Sequence, residues 1–251
     1  MIATVTTMEG GEFSNCYEDE TRADAYARLG FANTYYLAYR DIPAILSEHV
    51  KGTKAFDFGC GTGRSTRFLE KHGFKTVGVD ISEDMIRRAR EASPSGDYRL
   101  IADGDFSQFA AGGYDLVLSE FTFDNIPTME KKVLLFSGLR GLLNSDGRIV
   151  MVVSSPEIYW HEWASFSTKD FPENKLAKSG DRVKIIVTDH GDRRPVEDIL
   201  WTDASYREVF GKAGLQVVQR YAPLATGSEP YTWISETEIA PWVIYALGRA
   251  A

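Results

Sequence analysis

The sequence predicts an α/β protein, built on a mostly parallel β-sheet that carries helices on both faces. Short apolar runs alternate with longer helix-like stretches over residues 54–153, as expected of consecutive βα units. The first run ends in a glycine-rich loop at 59–63, and the second ends in the acid Asp80. Both features are typical of the carboxyl ends of parallel strands, where such sheets bind ligands.

The elements of this part of the chain have recognisable boundaries. Gly73 is a stop signal for the first helix, and Ser82 can cap the second, which has acids in its first turn. Residues 144–147 (NSDG) are interpreted as a turn into the last strand. The predicted elements are strand 54–58, helix 63–72, strand 75–79, helix 82–92, strand 98–102, strand 114–119, helix 128–143 and strand 148–153.

The rest of the chain completes the same sheet after an interruption. The predicted elements there are strands 182–187 and 196–201 around a turn at 190–192, a helix from 202 to 211 or 214, and strands 215–221 and 242–247. We therefore expect one domain over 1–251. Its parts are a helical, aromatic N-terminal cap at 17–50, a core at 51–153, an insertion or lid at 154–200, and C-terminal helix and strands at 201–251.

The charge of the chain disfavours nucleic acid as a partner. The 36 acidic and 28 basic side chains give a formal net charge of -8, which repels a phosphate backbone. The basic runs at 87–90 and 193–194 are short and lack interleaved aromatic residues, so we interpret them as solvated surface.

Cysteine usage and hydropathy favour a cytoplasmic protein without a membrane partner. The two cysteines, Cys16 and Cys60, make no disulfide framework. The N-terminus lacks the basic and apolar regions of a signal peptide. The longest apolar stretch, 239–247, is broken by Pro241 and is too short to span a bilayer. We expect a monomer or a homodimer.

The glycine loop has a spacing that separates kinds of nucleotide site. It reads Asp57-x-Gly59-x-Gly61-x-Gly63, with Arg at 64 and Thr at 66, so it does not match G-x-G-x-x-G. It also lacks the G-K-[ST] of a phosphate-binding P-loop. Glycine lets the backbone approach a ligand closely, and the following helix points free N–H groups at it. A nicotinamide oxidoreductase is therefore disfavoured.

Asp80 supplies the second part of a nucleoside site. It lies at the carboxyl end of the second strand, where a carboxylate can accept hydrogen bonds from both ribose hydroxyls. The alternative, that Asp80 caps the next helix, is weaker because Ser82 is better placed for capping.

These residues resemble the first two motifs of the class I S-adenosylmethionine-dependent methyltransferases. The resemblance begins at the glycine loop, includes 77–82 with Met85, and continues through 102–106 and 114–119. It implies a seven-stranded Rossmann-like sheet, and it implies S-adenosyl-L-methionine as cofactor. It covers residues 50–153 well and the C-terminal strands more loosely.

The resemblance also implies individual roles. Gly59, Cys60, Gly61 and Gly63 would line the amino-acid and ribose parts of the cofactor, although Cys60 is given no chemistry. Asp57 would help to position its ammonium group.

The adenine and methionine ends involve further residues. Ile81 would pack on the adenine, and Asp105 with the Phe106 backbone would bind the adenine edge. Asp103 remains the alternative to Asp105, because the Asp-Gly-Asp spacing leaves the frame open. Ser119 would lie near the methionine portion.

Candidates for acting on the methyl acceptor follow the fourth and fifth strands. Glu120 and Asp124 come just after strand four, although Asp124 could simply turn the chain. His161 follows strand five in an aromatic setting and could be a base or a structural histidine. No metal is expected, because His161-Glu162 lacks a second histidine four residues on.

Taken with the resemblance, these features predict methyl transfer to a small-molecule metabolite at nitrogen, oxygen or carbon. The N-terminal segment and the insertion could close over the cofactor, with Tyr17, Tyr26, Tyr35 and Trp160 forming an apolar pocket. The alternative, favoured for most of these aromatic residues, is that they belong to the ordinary core. The alternatives are methylation of a protein, and a non-catalytic S-adenosylmethionine-binding protein.

Overall fold

The structure is a computed structural model, and it describes residues 30–250. Its strands are β1 (Lys54–Phe58), β2 (Lys75–Asp80), β3 (Asp97–Leu100), β4 (Tyr114–Glu120), β5 (Leu143–Ser154), β6 (Phe166–Ser167), β7 (Arg182–Val187), β8 (Val196–Ile199), β9 (Leu215–Tyr221) and β10 (Trp242–Arg249). Its α-helices are α1 (Thr34–Arg40), α2 (Ile42–His49), α3 (Arg64–Lys71), α4 (Glu83–Ala92), α5 (Met129–Leu142) and α6 (Asp203–Lys212).

The main sheet has seven strands in the order β3-β2-β1-β4-β5-β10-β9. The pairs from β3 to β5 are parallel, whereas β10 is antiparallel to both of its neighbours. The predicted seven-stranded, mostly parallel sheet is therefore confirmed. The strand order reverses direction between β1 and β4, and a ligand site is expected beyond the carboxyl ends of these two strands.

Each face of the sheet packs against a different set of elements. Phe56 and Val117 point to a core formed with α5 and α6. Leu116 and Leu118 point the other way, to a core formed with α1, α2 and the insertion. Because side chains alternate along a strand, Glu120 shares the second face with Leu116 and Leu118.

Three predicted helix starts carry side-chain caps. The hydroxyl of Ser82 accepts from the Met85 N–H, that of Thr128 from the Lys131 N–H, and that of Thr202 from the Ser205 N–H. A capping hydroxyl satisfies one of the free N–H groups of the first turn. These helices accordingly begin within two residues of the predicted positions.

The predicted turn at 144–147 is wrong as a boundary. β5 begins at Leu143, which is opposite Tyr114, and the pairing resumes with Arg148 opposite Leu116. The four residues between them form an irregularity within one strand. Asn144 Nδ2 donates to Asp115 Oδ1 at 2.6 Å, which fixes this irregularity against β4.

The insertion has one strand more than predicted. β6 pairs with β7, and β7 pairs with β8, so a separate three-stranded sheet forms. The second predicted strand ends at Ile199 rather than at 201. Within the predicted N-terminal cap, α1 and α2 are helical. Cys16, Tyr17 and Tyr26 lie outside the described residues.

Within 30–250, no helix is long and apolar enough to cross a membrane. The basic run at 87–90 is a solvated helix surface, as predicted. Arg87 pairs with Asp84 and Glu91 of the same helix, and Arg88 pairs with Asp84 at 2.6 Å.

Candidate active site

The loop after β1 has a left-handed backbone that favours glycine. Gly59, Gly61 and Gly63 have φ values of 73°, 51° and 80°. A Cβ on Gly59 would lie 2.1 Å from Thr122 Oγ1. The N–H groups of Gly59 and Cys60 both donate to the Val79 carbonyl at 2.9 Å, which fixes the loop against β2. The loop therefore presents bare backbone at the end of β1.

Asp57 is fully buried beneath this loop and has one unused oxygen. Its Oδ2 accepts from the hydroxyls of Ser65 and Thr66, both at 2.6 Å. Its Oδ1 has no hydrogen-bond partner among the described residues. Burial raises the pKa of this carboxyl to about 6, although the two hydroxyls lower it in part. A ligand donor at the loop would satisfy Oδ1.

Asp80 connects the loop to the following helix. Its Oδ2 accepts from the Gly61 N–H and its Oδ1 from the Ser82 N–H, both at 2.9 Å. Burial raises its pKa, and these N–H groups oppose that rise. Each oxygen keeps a second acceptor position. The carboxylate is therefore held in place with capacity for two further donors.

Two large apolar side chains lie exposed beside Asp80. Ile81 is 39% exposed and Leu100 is 44% exposed, and Leu100 pairs with Asp80 in the β2–β3 register. Together with the Asp80 carboxylate they suit a flat apolar ring attached to a hydroxylated sugar. Leu100 was missed in the sequence, where its place at the end of β3 was the only available signal.

Known proteins similar to this chain include methyltransferases, whose cofactor contains a nucleoside of the kind that this geometry suits. A family described as "Methyltransferase domain" matches residues 56–151. An uncharacterized methyltransferase of Geobacillus sp. (strain WCH70) is 33% identical over 129 residues, which cover 49% of this chain and 58% of that protein. The N-demethylindolmycin N-methyltransferase of Streptomyces griseus is 22% identical over 216 residues, or 85% and 89% of the two chains. The resemblance to the class I S-adenosylmethionine-dependent methyltransferases is therefore confirmed over residues 56–151.

Solved structures share the fold of this chain. The PH0226 protein of Pyrococcus horikoshii OT3 is 17% identical, with a TM-score of 0.63 over 95% of this chain and 100% of that chain. A putative S-adenosylmethionine-dependent methyltransferase of Listeria monocytogenes is 19% identical, with a TM-score of 0.62 over 86% and 100%. The chain spans little more than half the length of the first two curated relatives, 58% of the Geobacillus protein and 55% of an uncharacterized methyltransferase of Alkaliphilus oremlandii.

The residues present fit S-adenosylmethionine, which is the cofactor that the resemblance implies. The unpartnered Asp57 oxygen and the bare loop suit its amino-acid part. Asp80 suits the ribose, and the exposed side chains of Ile81 and Leu100 suit the adenine. When bound, this cofactor supplies a methyl group on a positively charged sulfur, which is its own leaving group.

Other predicted cofactor residues have more limited access. The side chains of Cys60, Met85 and Ser119 are 4%, 3% and 0% exposed. The Cys60 side chain packs with Ile86 and Tyr98. Only the backbone atoms of Cys60 are therefore left to contact the cofactor. The Ser119 hydroxyl is buried and has no partner among the described residues.

The adenine-edge candidates lie in an exposed turn after β3. Asp103 pairs with Lys131 at 2.7 Å. Asp105 accepts from the Ser107 N–H at 2.9 Å, and hydrogen bonds from Ser107 lower its pKa. Phe106 packs on Phe58, with ring centroids 5.8 Å apart. Contact of either acid with the adenine stays a prediction.

Glu120 and Asp124 differ in how far their carboxyl oxygens are hydrogen-bonded. Asp124 is 5% exposed and is held by Ser154, whose N–H and hydroxyl donate to Oδ2 at 3.0 and 2.9 Å. Burial raises its pKa to about 6. Glu120 is 7% exposed, and neither of its side-chain oxygens has a partner among the described residues. Burial raises the pKa of Glu120 to about 8, although Tyr39 and Arg64 lower it in part.

His161 and Trp160 lie in the turn after β5. The His161 ring meets Trp163 edge to face, with centroids 6.3 Å apart, and its carbonyl accepts from Thr168 at 3.0 Å. The Trp160 indole donates to the Asn174 carbonyl at 3.1 Å. Over 30–250, no cluster of three or more His, Cys, Asp or Glu side chains could hold a metal ion.

The N-terminal cap rests on the first residue of α3. The Arg64 guanidinium lies 5.9, 5.3 and 5.3 Å from the ring centroids of Phe31, Tyr35 and Tyr39. Because Arg64 directly follows Gly63, the residue that contacts the cap is adjacent to the glycine loop. The sequence carried no signal for this contact, because the residues are about 30 positions apart.

Proposed function

We propose that this protein transfers a methyl group from S-adenosylmethionine to a small-molecule acceptor. The observation that carries the proposal is the glycine loop between Asp57 and Asp80, where an unused buried oxygen and a fixed carboxylate face one edge of the sheet. The chain's own residues would orient the two reactants and exclude water, which are the main tasks in a direct displacement.

The covering of the sheet face that carries Glu120 supports a small molecule over a protein. Glu236 is fully buried and accepts from the Thr34 hydroxyl at 2.6 Å and from the Ala164 N–H at 2.7 Å. It thereby joins the cap, the insertion and the segment before β10. These elements pack on the sheet face that carries Glu120. The Streptomyces griseus relative, named for a small-molecule N-methyl transfer, spans 85% of this chain.

Glu120, Asp124 and His161 stay candidates for the acceptor side. Glu120 is favoured among them, because Asp124 is already held by Ser154 and the His161 segment is held by Thr168. A cytoplasmic location and a monomeric or homodimeric state are also part of the proposal.

Binding and transfer can be tested separately. We expect S-adenosylmethionine and S-adenosylhomocysteine to bind in calorimetry, and NAD not to bind. Asp80→Ala should weaken both ligands by about tenfold or more, because it removes an acceptor of charge-assisted hydrogen bonds. Asp97→Ala is the matched control, since Asp97 starts β3 and pairs with Arg99 at 2.7 Å.

Two results would contradict the proposal. Binding of NAD in place of the two sulfur compounds would exclude the cofactor. Binding of S-adenosylmethionine without transfer of a labelled methyl group to any member of a metabolite panel would favour the non-catalytic alternative.

A further inference from the structure

Glu120 is a buried carboxyl group with unmet hydrogen-bonding capacity. It is the last residue of β4, and its side chain is 7% exposed with both oxygens unpartnered among the described residues. Desolvating a carboxylate without donors is costly, so such a group usually has a bound partner or a functional reason. Its position at the carboxyl end of a central strand places it where ligands bind.

Aromatic side chains cover this end of the sheet. The Tyr39 hydroxyl does not meet hydrogen-bond geometry with Glu120, but it lies near enough to the carboxyl group to lower its pKa. Tyr35, one turn earlier on α1, meets Phe121 at 5.9 Å and Trp242 at 5.8 Å between ring centroids. We call Tyr35, Tyr39, Phe121 and Trp242 the aromatic roof. Aromatic faces attract cations, and a buried carboxylate beside them attracts cations more strongly.

The local charges leave a place for one more cation. Among the residues that the structure describes, Asp57 and Arg64 are the charged groups that act on the Glu120 carboxyl, and only Arg64 is a cation. The Arg64 guanidinium lies over the rings of the cap. The unpartnered Asp57 oxygen lies under the glycine loop and suits the cofactor's ammonium group. The Glu120 oxygens are then left for the acceptor.

We propose that the acceptor is a small molecule with a basic primary or secondary amine, and that Glu120 holds this amine and receives its proton. This inference rests on the proposed methyl transfer. The ammonium nitrogen gives one proton to the Glu120 carboxylate, and its freed electron pair forms the new N–C bond. The C–S bond breaks with its electron pair left on sulfur, so the product leaves as an N-methylammonium and Glu120 returns its proton to water.

The test uses ligand binding, because binding does not depend on turnover. Wild-type protein saturated with S-adenosylhomocysteine is screened by thermal shift and calorimetry. The panel consists of small amines, each paired with the alcohol and the carboxylic acid of the same skeleton. We expect binders among the amines, each at least about tenfold tighter than its alcohol and acid counterparts. A panel in which no amine binds, or in which alcohols or acids bind as well as their amines, overturns the inference.

The variant Glu120→Gln keeps the shape of the side chain and removes its charge. We expect it to lose amine affinity by about tenfold or more and to keep its affinity for S-adenosylhomocysteine. Glu157→Gln, on the turn after β5, is the matched control and should bind amines as the wild type does. Equal losses of amine and S-adenosylhomocysteine binding in Glu120→Gln would mean that Glu120 serves the cofactor, which overturns the inference.

The pH dependence of amine binding is a further readout. Glu120 loses its proton around pH 8, and it is faced by Tyr39, Arg64 and Asp57, of which Asp57 titrates lower, at about 6. Amine affinity in the wild type should rise from about pH 6.5 to about pH 8.5, as Glu120 becomes charged. The same profile in Glu120→Gln would show that another group is responsible. Failure of the wild type to bind S-adenosylhomocysteine would instead refute the proposed function.

Discussion

Gly59 is constrained by its backbone angle and by its surroundings at the same time. Its φ is 73°, and a Cβ would lie 2.1 Å from the Thr122 hydroxyl oxygen. That hydroxyl donates to the Phe58 carbonyl at 3.2 Å, so moving it disturbs the end of β1. Gly73 has a similar φ of 88° but has open space around it.

This pair of glycines separates backbone strain from steric conflict. Gly73→Ala should lower the free energy of unfolding by about 1–2 kcal/mol, the cost of a left-handed backbone for a residue with a side chain. Gly59→Ala should cost more and should also weaken S-adenosylhomocysteine binding. Urea unfolding and calorimetry provide the measurements. Equal losses of stability in both variants would show that the Thr122 side chain moves away from a Cβ at position 59 without an energetic cost.

Glu120 also predicts how stability depends on pH. Its pKa is raised from the usual 4.5 to about 8, so the folded protein holds the proton more tightly than the unfolded chain does. The free energy of unfolding should therefore fall from about pH 4.5 to about pH 8, by at most about 1.4 kcal/mol per pH unit from this group. Glu120→Gln cannot make this contribution. Its melting temperature relative to wild type should thus rise with pH, and a constant difference would refute the assignment.

At the scale of elements, Arg64 connects the N-terminal cap to α3, the helix that follows the glycine loop. Its guanidinium lies over three rings, and a cation–π interaction of one cation contributes about 0.5–2 kcal/mol. We expect Arg64→Leu to reduce hydrogen-exchange protection in α1 and to lower stability by about 1–2 kcal/mol. Arg87→Leu, on the exposed face of α4, is the control. Unchanged protection of α1 would mean that the cap is held by its other contacts alone.

Elements with local signals could be predicted, and those fixed by distant partners could not. Ser82, Thr128 and Thr202 cap their own helices, so their positions are readable in the sequence. The 144–147 segment contains turn residues, but its pairing with β4 on both sides keeps it in β5. β6 has only two residues and exists because β7 pairs with it.

The same distinction holds for the site. Asp57 and Asp80 lie at strand ends that the alternation of elements reveals. Arg64 and Leu100 gained their roles only from the folded arrangement, because one faces α1 and the other completes the edge beside Asp80. Sequence spacing alone does not bring those neighbours together.

At the scale of the whole molecule, Glu236 joins three separate parts of the chain. Besides Thr34 and Ala164, its carboxylate accepts from the N–H groups of Ile234 and Ser235 at 2.8 and 3.1 Å. Four donors converge on one fully buried side chain. Each charge-assisted bond is stronger than a neutral one.

Replacing this carboxylate should therefore be costly. Glu236→Gln turns one acceptor oxygen into an amide donor that faces other donors, and we expect a loss of about 2–4 kcal/mol in the free energy of unfolding. Glu238→Gln is the control, because Glu238 is exposed two residues further on. Urea unfolding compares the two. A loss in Glu236→Gln no larger than that of the control would show that the four bonds add nothing to stability.

The shared anchor at Glu236 has a kinetic consequence. The cap and the insertion are each bonded to Glu236 and are also bonded to each other through Thr34 and Ser165, so none of the three parts can move aside alone without breaking bonds to the other two. Entry of the acceptor and release of the product then require these three parts to open together. Collective motions of this kind take microseconds to milliseconds. We therefore expect turnover to be limited by the departure of the methylated product and to change little when the methyl group carries a heavy isotope.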